Sequence, residues 1–124
     1  MHGSIAFVFP GQGSQSIQML ADLASTHPLV QEVFAETSEV LGEDLWALSQ
    51  QGPVEKLNQT RWTQPLMLAA GYAVYRVWEE EGGAYPDFVA GHSLGEYTAL
   101  VVAEALDYKD AVRLVAERGR LMQE

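Results

Sequence analysis

The spacing of apolar and polar positions divides the chain into alternating strand-like and helix-like stretches. IAFVF, residues 5–9, is an unbroken apolar run, the pattern of a short strand covered on both faces in a parallel sheet. PGQGSQ breaks it with two glycines. SIQMLADLAS, residues 16–25, then sets Ile17, Leu20, Leu23 and Ala24 at helical spacing. A further helix is predicted over 28–41, with Pro28 in its first turn and Gly42 as its stop. EDLWALSQQG and PVEKLNQ predict two short helices. The longest is predicted in TQPLMLAAGYAVYRVWEEEGG, residues 63–83, with Thr63 as cap, Pro65 in the first turn, and Gly82 and Gly83 closing it. DFVAG, residues 87–91, is the second strand, and helices are expected near 94–104 and 108–123. The chain has no internal repeat, linker or low-complexity segment.

This order of elements predicts an α/β fold with an open parallel sheet, where ligands bind beyond the carboxyl ends of the strands. Both glycine-rich loops, 11–15 and 91–95, fall at such ends. In the second, GHSLG reads G-x-S-x-G between a strand and a helix, the pattern of a nucleophile elbow. Gly91 and Gly95 permit the tight turn, Ser93 stands at its corner, and the N–H of Leu94 is a ready oxyanion donor. The plainer alternative makes Ser93 an N-cap in an ordinary strand-to-helix loop. A second oxyanion donor must come from the other loop, where the backbone N–H of Gln12 is the candidate. The rival there is a phosphate cradle, but the third glycine of a dinucleotide motif is replaced by Ser16.

Composition narrows the options. With 124 residues the chain is one domain at most, and its 48% hydrophobic content is that of a soluble globular protein. No apolar run approaches the ~20 residues that span a bilayer, and no basic, apolar leader opens the chain, so a cytoplasmic location without membrane contact is expected. The absence of cysteine excludes disulfides and thiolate metal sites, and no metal is expected. A net charge of −10 with seven basic residues does not suit nucleic acid. Four of the seven, Lys109, Arg113, Arg118 and Arg120, lie near the C-terminus. Helical periodicity puts Ala111, Leu114, Val115, Leu121 and Met122 on one apolar stripe, with Arg118 inside it. An arginine there is either a structural ion pair, a snorkelling side chain, or a planar fork for a substrate carboxylate.

FPGQGSQ, TQP and GHSLGEY in this order, followed by the arginine of AERGRLM, resemble the N-terminal part of the malonyl-CoA:acyl carrier protein transacylases of type II fatty acid synthesis. The resemblance spans residues 5–124. It implies an α/β-hydrolase-like acyltransferase core, incomplete here because a ferredoxin-like subdomain and the C-terminal part of the core are absent. It also implies ping-pong transfer of malonyl from coenzyme A through Ser93 to the pantetheine thiol of an acyl carrier protein, with malonyl-CoA as substrate and no cofactor. On that basis Ser93 matches the nucleophile, and Gln12 and Leu94 match the oxyanion amides. Arg118 matches the residue that holds the malonyl carboxylate, and Gln64 matches a glutamine lining the site. Gln18 and Glu104 depart from the resemblance, standing where many relatives carry glycine.

A serine nucleophile needs a base. The three histidines are His2, His27 and His92, and none follows Ser93. His92 adjoins Ser93, but consecutive side chains diverge at such a turn, so it is read as packing or hydrogen-bonding at the edge of the substrate site. In the resembling family the base lies downstream, and the chain ends at Glu124 without a helix stop. The expectation is therefore an inactive N-terminal fragment, open to self-association through uncovered strand edges. Three other classes stay open: an ester hydrolase on the same elbow, a nucleotide-binding module using GQGSQS, and a binding or folding unit without activity.

Overall fold

The computed structural model describes residues 6–9, 18–91 and 93–123. Strand β1 (Ala6–Phe9) pairs in parallel with β2 (Phe88–Gly91), in a register running from Ala6 opposite Phe88 to Phe9 opposite Gly91. Parallel neighbours require a crossover. It is built from helices α1 (Ala21–Thr26), α2 (Leu29–Leu41), α3 (Leu45–Gln51), α4 (Val54–Leu57) and α5 (Thr60–Glu80). After β2 come α6 (Gly95–Val102) and α7 (Tyr108–Gln123). Among the described residues no helix is long and apolar enough to cross a membrane.

Helix α5 is the axis of the core. Its buried Leu66, Leu68, Ala69 and Ala73 share one cluster with Val30, Val33 and Phe34 of α2 and with Ala111, Val112 and Val115 of α7. A smaller cluster of Phe9, Tyr75, Ala99 and Val102 seats the strands on α5 and α6. Between α2 and α7 the buried Thr37 hydroxyl donates to the Val33 carbonyl at 2.8 Å, so the Tyr108 hydroxyl donates to Thr37 Oγ1 at 2.6 Å. Burial raises the Tyr108 pKa, which keeps this donor protonated.

Three expectations are corrected. The helix expected over 16–25 is described only from Ala21, because Gln18 and Leu20 take left-handed backbone (φ 68° and 63°), with the Gln18 amide bonded to the Ser49 carbonyl at 2.7 Å. Thr63 does not cap α5. The helix starts a turn earlier, since the Gln59 carbonyl accepts from the Trp62 and Thr63 amides, and the Thr63 hydroxyl donates back to the Leu57 and Gln59 carbonyls. Pro65 therefore lies past the first turn. The apolar stripe of α7 is also rotated from the one expected. Tyr108, Ala111, Val112, Val115 and Gly119 face the core, whereas Leu114, Leu121 and Met122 are about half exposed on the side that carries Arg118.

Glu104, which follows α6, also has a positive φ of 63°. The left-handed region costs a non-glycine residue roughly 1–2 kcal/mol, while glycine adds about 0.5–1 kcal/mol of unfolded-state freedom. Glu104→Gly is accordingly expected to raise the urea midpoint by a stabilisation of up to about 1 kcal/mol. A lowered midpoint would show that the glutamate side chain holds this turn.

His27 Nε2 lies 2.6 Å from Glu81 Oε1 and ties the loop before α2 to the end of α5. That hydrogen bond raises the His27 pKa above its ordinary 6.5. The folded state therefore holds the proton more tightly than the unfolded one. The pair's contribution is complete below the ordinary value and is lost as pH rises through the folded-state value. The chain should lose more stability than His27→Gln does when unfolding is followed upward through that range. Parallel pH profiles would contradict the pairing.

Candidate active site

The turn between β2 and α6 is tight because nothing but glycine fits at its base. A Cβ on Gly91 would stand 1.9 Å from the Gly95 carbonyl carbon and 2.3 Å from the Glu96 nitrogen, so strand end and helix start are pressed together. Ser93 is exposed at the corner, in left-handed backbone at φ 57°. A non-glycine residue in that region is strained, and such strain gathers at functional sites. The Ser93 carbonyl accepts the Glu96 amide at 3.1 Å and the Leu94 carbonyl accepts that of Tyr97 at 3.0 Å. The helix thus begins through backbone groups, with no side-chain cap, and the N-cap alternative for the Ser93 hydroxyl falls away. Leu94 anchors the turn with a fully buried side chain. Its N–H, just before the helix, is one of the terminal amides that lack an intrahelical acceptor.

Two further helices bring side chains to this corner. Arg118, half-buried on α7, donates from Nη2 to Ser93 Oγ at 3.1 Å and from Nη1 to Gln64 Oε1 of α5. Its guanidinium carbon also lies 5.9 Å from the Tyr97 ring centroid, at the edge of cation–π range. Gly119 makes the meeting of α5 and α7 possible. A Cβ there would come within 2.9 Å of both the Arg61 Cα and the Thr60 carbonyl oxygen, and 3.1 Å from Gln64 Cγ.

The partners of Arg118 are neutral. Lys56 pairs with Glu43, Arg76 with Glu79, Arg113 with Asp110 and Arg120 with Glu117, whereas no carboxylate pairs with Arg118 among the described residues. The structural ion-pair alternative therefore finds no partner there. What remains is a cation held by two neutral oxygens beside an exposed serine hydroxyl.

Of the sequence candidates, Ser93, Leu94, Gln64 and Arg118 converge on this corner. Gln12, His92 and the GQGSQS loop lie outside the described residues. His27 bonds Glu81, about 25 Å along α5 from Gln64 at roughly 1.5 Å per residue, and is remote from Ser93. Gly119 and Tyr97 are members the sequence reading missed. Gly119 carried a signal, because a glycine inside a helix costs about 1 kcal/mol relative to alanine and so marks a close approach. Tyr97 carried none.

Residues 6–124 match the acyl transferase domain family, and the chain belongs to it. It is 62% identical over 119 residues to the malonyl CoA-acyl carrier protein transacylase of Escherichia coli K12, covering 96% of this chain and 38% of that relative. A crystal structure of an acyl carrier protein S-malonyltransferase from Vibrio cholerae superposes with a TM-score of 0.96 at 59% identity, covering 98% of this chain and 40% of that one. A malonyl-transacylase in complex with a type II PKS acyl-carrier protein superposes with a TM-score of 0.95 at 61% identity, over 98% and 39%. The α/β fold and its incompleteness relative to these structures follow directly: the chain spans about 40% of their length.

Proposed function

We propose that residues 1–124 are the N-terminal part of an acyltransferase core that moves malonyl from coenzyme A to an acyl carrier protein through a malonyl ester on Ser93. Arg118 carries this reading. A guanidinium with no anionic partner among the described residues, set against the candidate nucleophile, suits an acyl group that brings its own carboxylate. The names of the relatives, and the neighbour solved with a carrier protein, support the same donor and acceptor.

In the first half-reaction Ser93 Oγ attacks the thioester carbonyl and gives its proton to a base. The carbonyl oxygen takes up negative charge facing the Leu94 N–H, with Gln12 as the second donor. Collapse breaks the C–S bond, and coenzyme A leaves as the thiol. The carrier's pantetheine thiol then attacks the serine ester and returns the proton to Ser93. No cofactor is required. Among the described residues the side chain touching the Ser93 hydroxyl is Arg118, a donor, which supports a base outside them.

A chimera tests this: residues 6–124 replace the matching part of the E. coli relative. It should load malonyl onto acyl carrier protein at a rate comparable with the parent. A folded chimera that only released free malonate would favour the ester hydrolase, for which an unpaired guanidinium has no purpose when the ester is neutral.

A further inference from the structure

We propose that Gln64 is a positioning residue for acyl-group selection: its side-chain carbonyl fixes the Arg118 guanidinium so that the substrate carboxylate, and not a bare acyl chain, is held beside Ser93. The inference rests on the transferase reading above. Gln64 is 1% exposed, on the second turn of α5, in a core filled mainly by apolar side chains. A buried amide is retained against its desolvation cost only where it is hydrogen-bonded, and its Oε1 accepts from Arg118 Nη1. This places the two Nη atoms on different tasks, with Nη1 turned into the protein and Nη2 directed at the serine.

An arginine on an exposed helix face has many rotamers, and freezing such a side chain during binding costs about 0.5–1.5 kcal/mol. Gln64 meets that cost in advance. The missing side chain at Gly119 permits the short distance, since a Cβ there would press on Thr60, Arg61 and Gln64 Cγ and push α7 away from α5. A carboxylate arriving at Ser93 therefore finds an oriented cation. An acyl chain ending in a methyl group gains nothing from it.

The chimera separates this from a packing role through the ratio of malonyl to acetyl transfer, each measured as kcat/KM. Gln64→Met keeps the volume and removes the acceptor, and malonyl transfer should fall several-fold more than acetyl transfer. Gln64→Glu keeps an acceptor at the same reach but cancels the arginine's charge, so it should depress malonyl transfer further than Gln64→Met does. A purely structural glutamine predicts the reverse order, with the isosteric Glu milder and both acyl groups falling together. Thermal unfolding of each variant checks that it is folded. If the unsubstituted chimera prefers malonyl and Arg118→Ala abolishes that preference, yet Gln64→Met leaves the ratio untouched, the positioning role alone is overturned. If the unsubstituted chimera shows no malonyl preference, the transferase reading and this inference fall together.

Discussion

Residues 1–124 alone are expected to turn over malonyl-CoA on the order of 10⁴-fold more slowly than the chimera, the scale of loss when one member of a serine triad is removed. A serine hydroxyl is a weak nucleophile until a base takes its proton. At Ser93 the opposite contact is present, because Arg118 donates to Oγ and ties up a lone pair that would otherwise attack. His27 is engaged with Glu81 at the far end of α5 and gives no help. Adding the remaining length of the E. coli relative as a separate polypeptide should restore turnover. Val8 and Phe88 of the two strands are 72% and 66% exposed, so the short sheet offers apolar surface for a second chain to cover. Without that partner the same surface should promote self-association, visible as concentration-dependent sedimentation. Near-normal turnover by residues 1–124 would refute the external base.

Arg118→Ala in the chimera should lower malonyl transfer roughly 10- to 150-fold more than acetyl transfer, equivalent to the loss of about 1.5–3 kcal/mol from a charge-assisted contact. The two acyl groups share the thioester and the attack on it, and differ in the carboxylate. A loss confined to malonyl therefore reports the guanidinium–carboxylate contact and nothing else. Arg118→Lys should recover part of the difference, since an ammonium supplies charge but cannot bridge Gln64 and Ser93 with a planar fork. Equal losses for both acyl groups would contradict the carboxylate role.

Much of the site was legible because each local signal had a single physical cause. G-x-S-x-G between a strand and a helix requires close backbone approach at Gly91 and a strained corner at Ser93, and both are found. The strands were legible from their apolar runs, although among the described residues they are not covered on both faces, with Val8 and Phe88 exposed, and α2 was legible from Pro28 and Gly42 at its ends. What failed was decided by tertiary packing. Two apolar faces run along α7, and periodicity alone merged them. Packing against α2 and α5 selects the face with Ala111, Val112 and Val115, which leaves Leu114 and Leu121 beside Arg118 and outside the core. Thr63 had the right chemistry for a cap but donates backwards to two carbonyls, because Gln59 had already started the helix. The turn at Gln18 to Leu20 was hidden by apolar spacing that continues through it. The left-handed backbone at Gln18 and Glu104 gives physical meaning to the two departures from glycine, which local sequence alone left unexplained.

The central claim, that Ser93 carries the acyl group, is tested most directly by mixing the chimera with malonyl-CoA in the absence of carrier protein, quenching in acid and mapping the peptides by mass. A malonyl ester should appear on the peptide holding Ser93, disappear when carrier protein is added before the quench, and be absent in Ser93→Ala. A chimera that loads the carrier with no ester on that peptide, or that forms the ester when Ser93 is alanine, would contradict it.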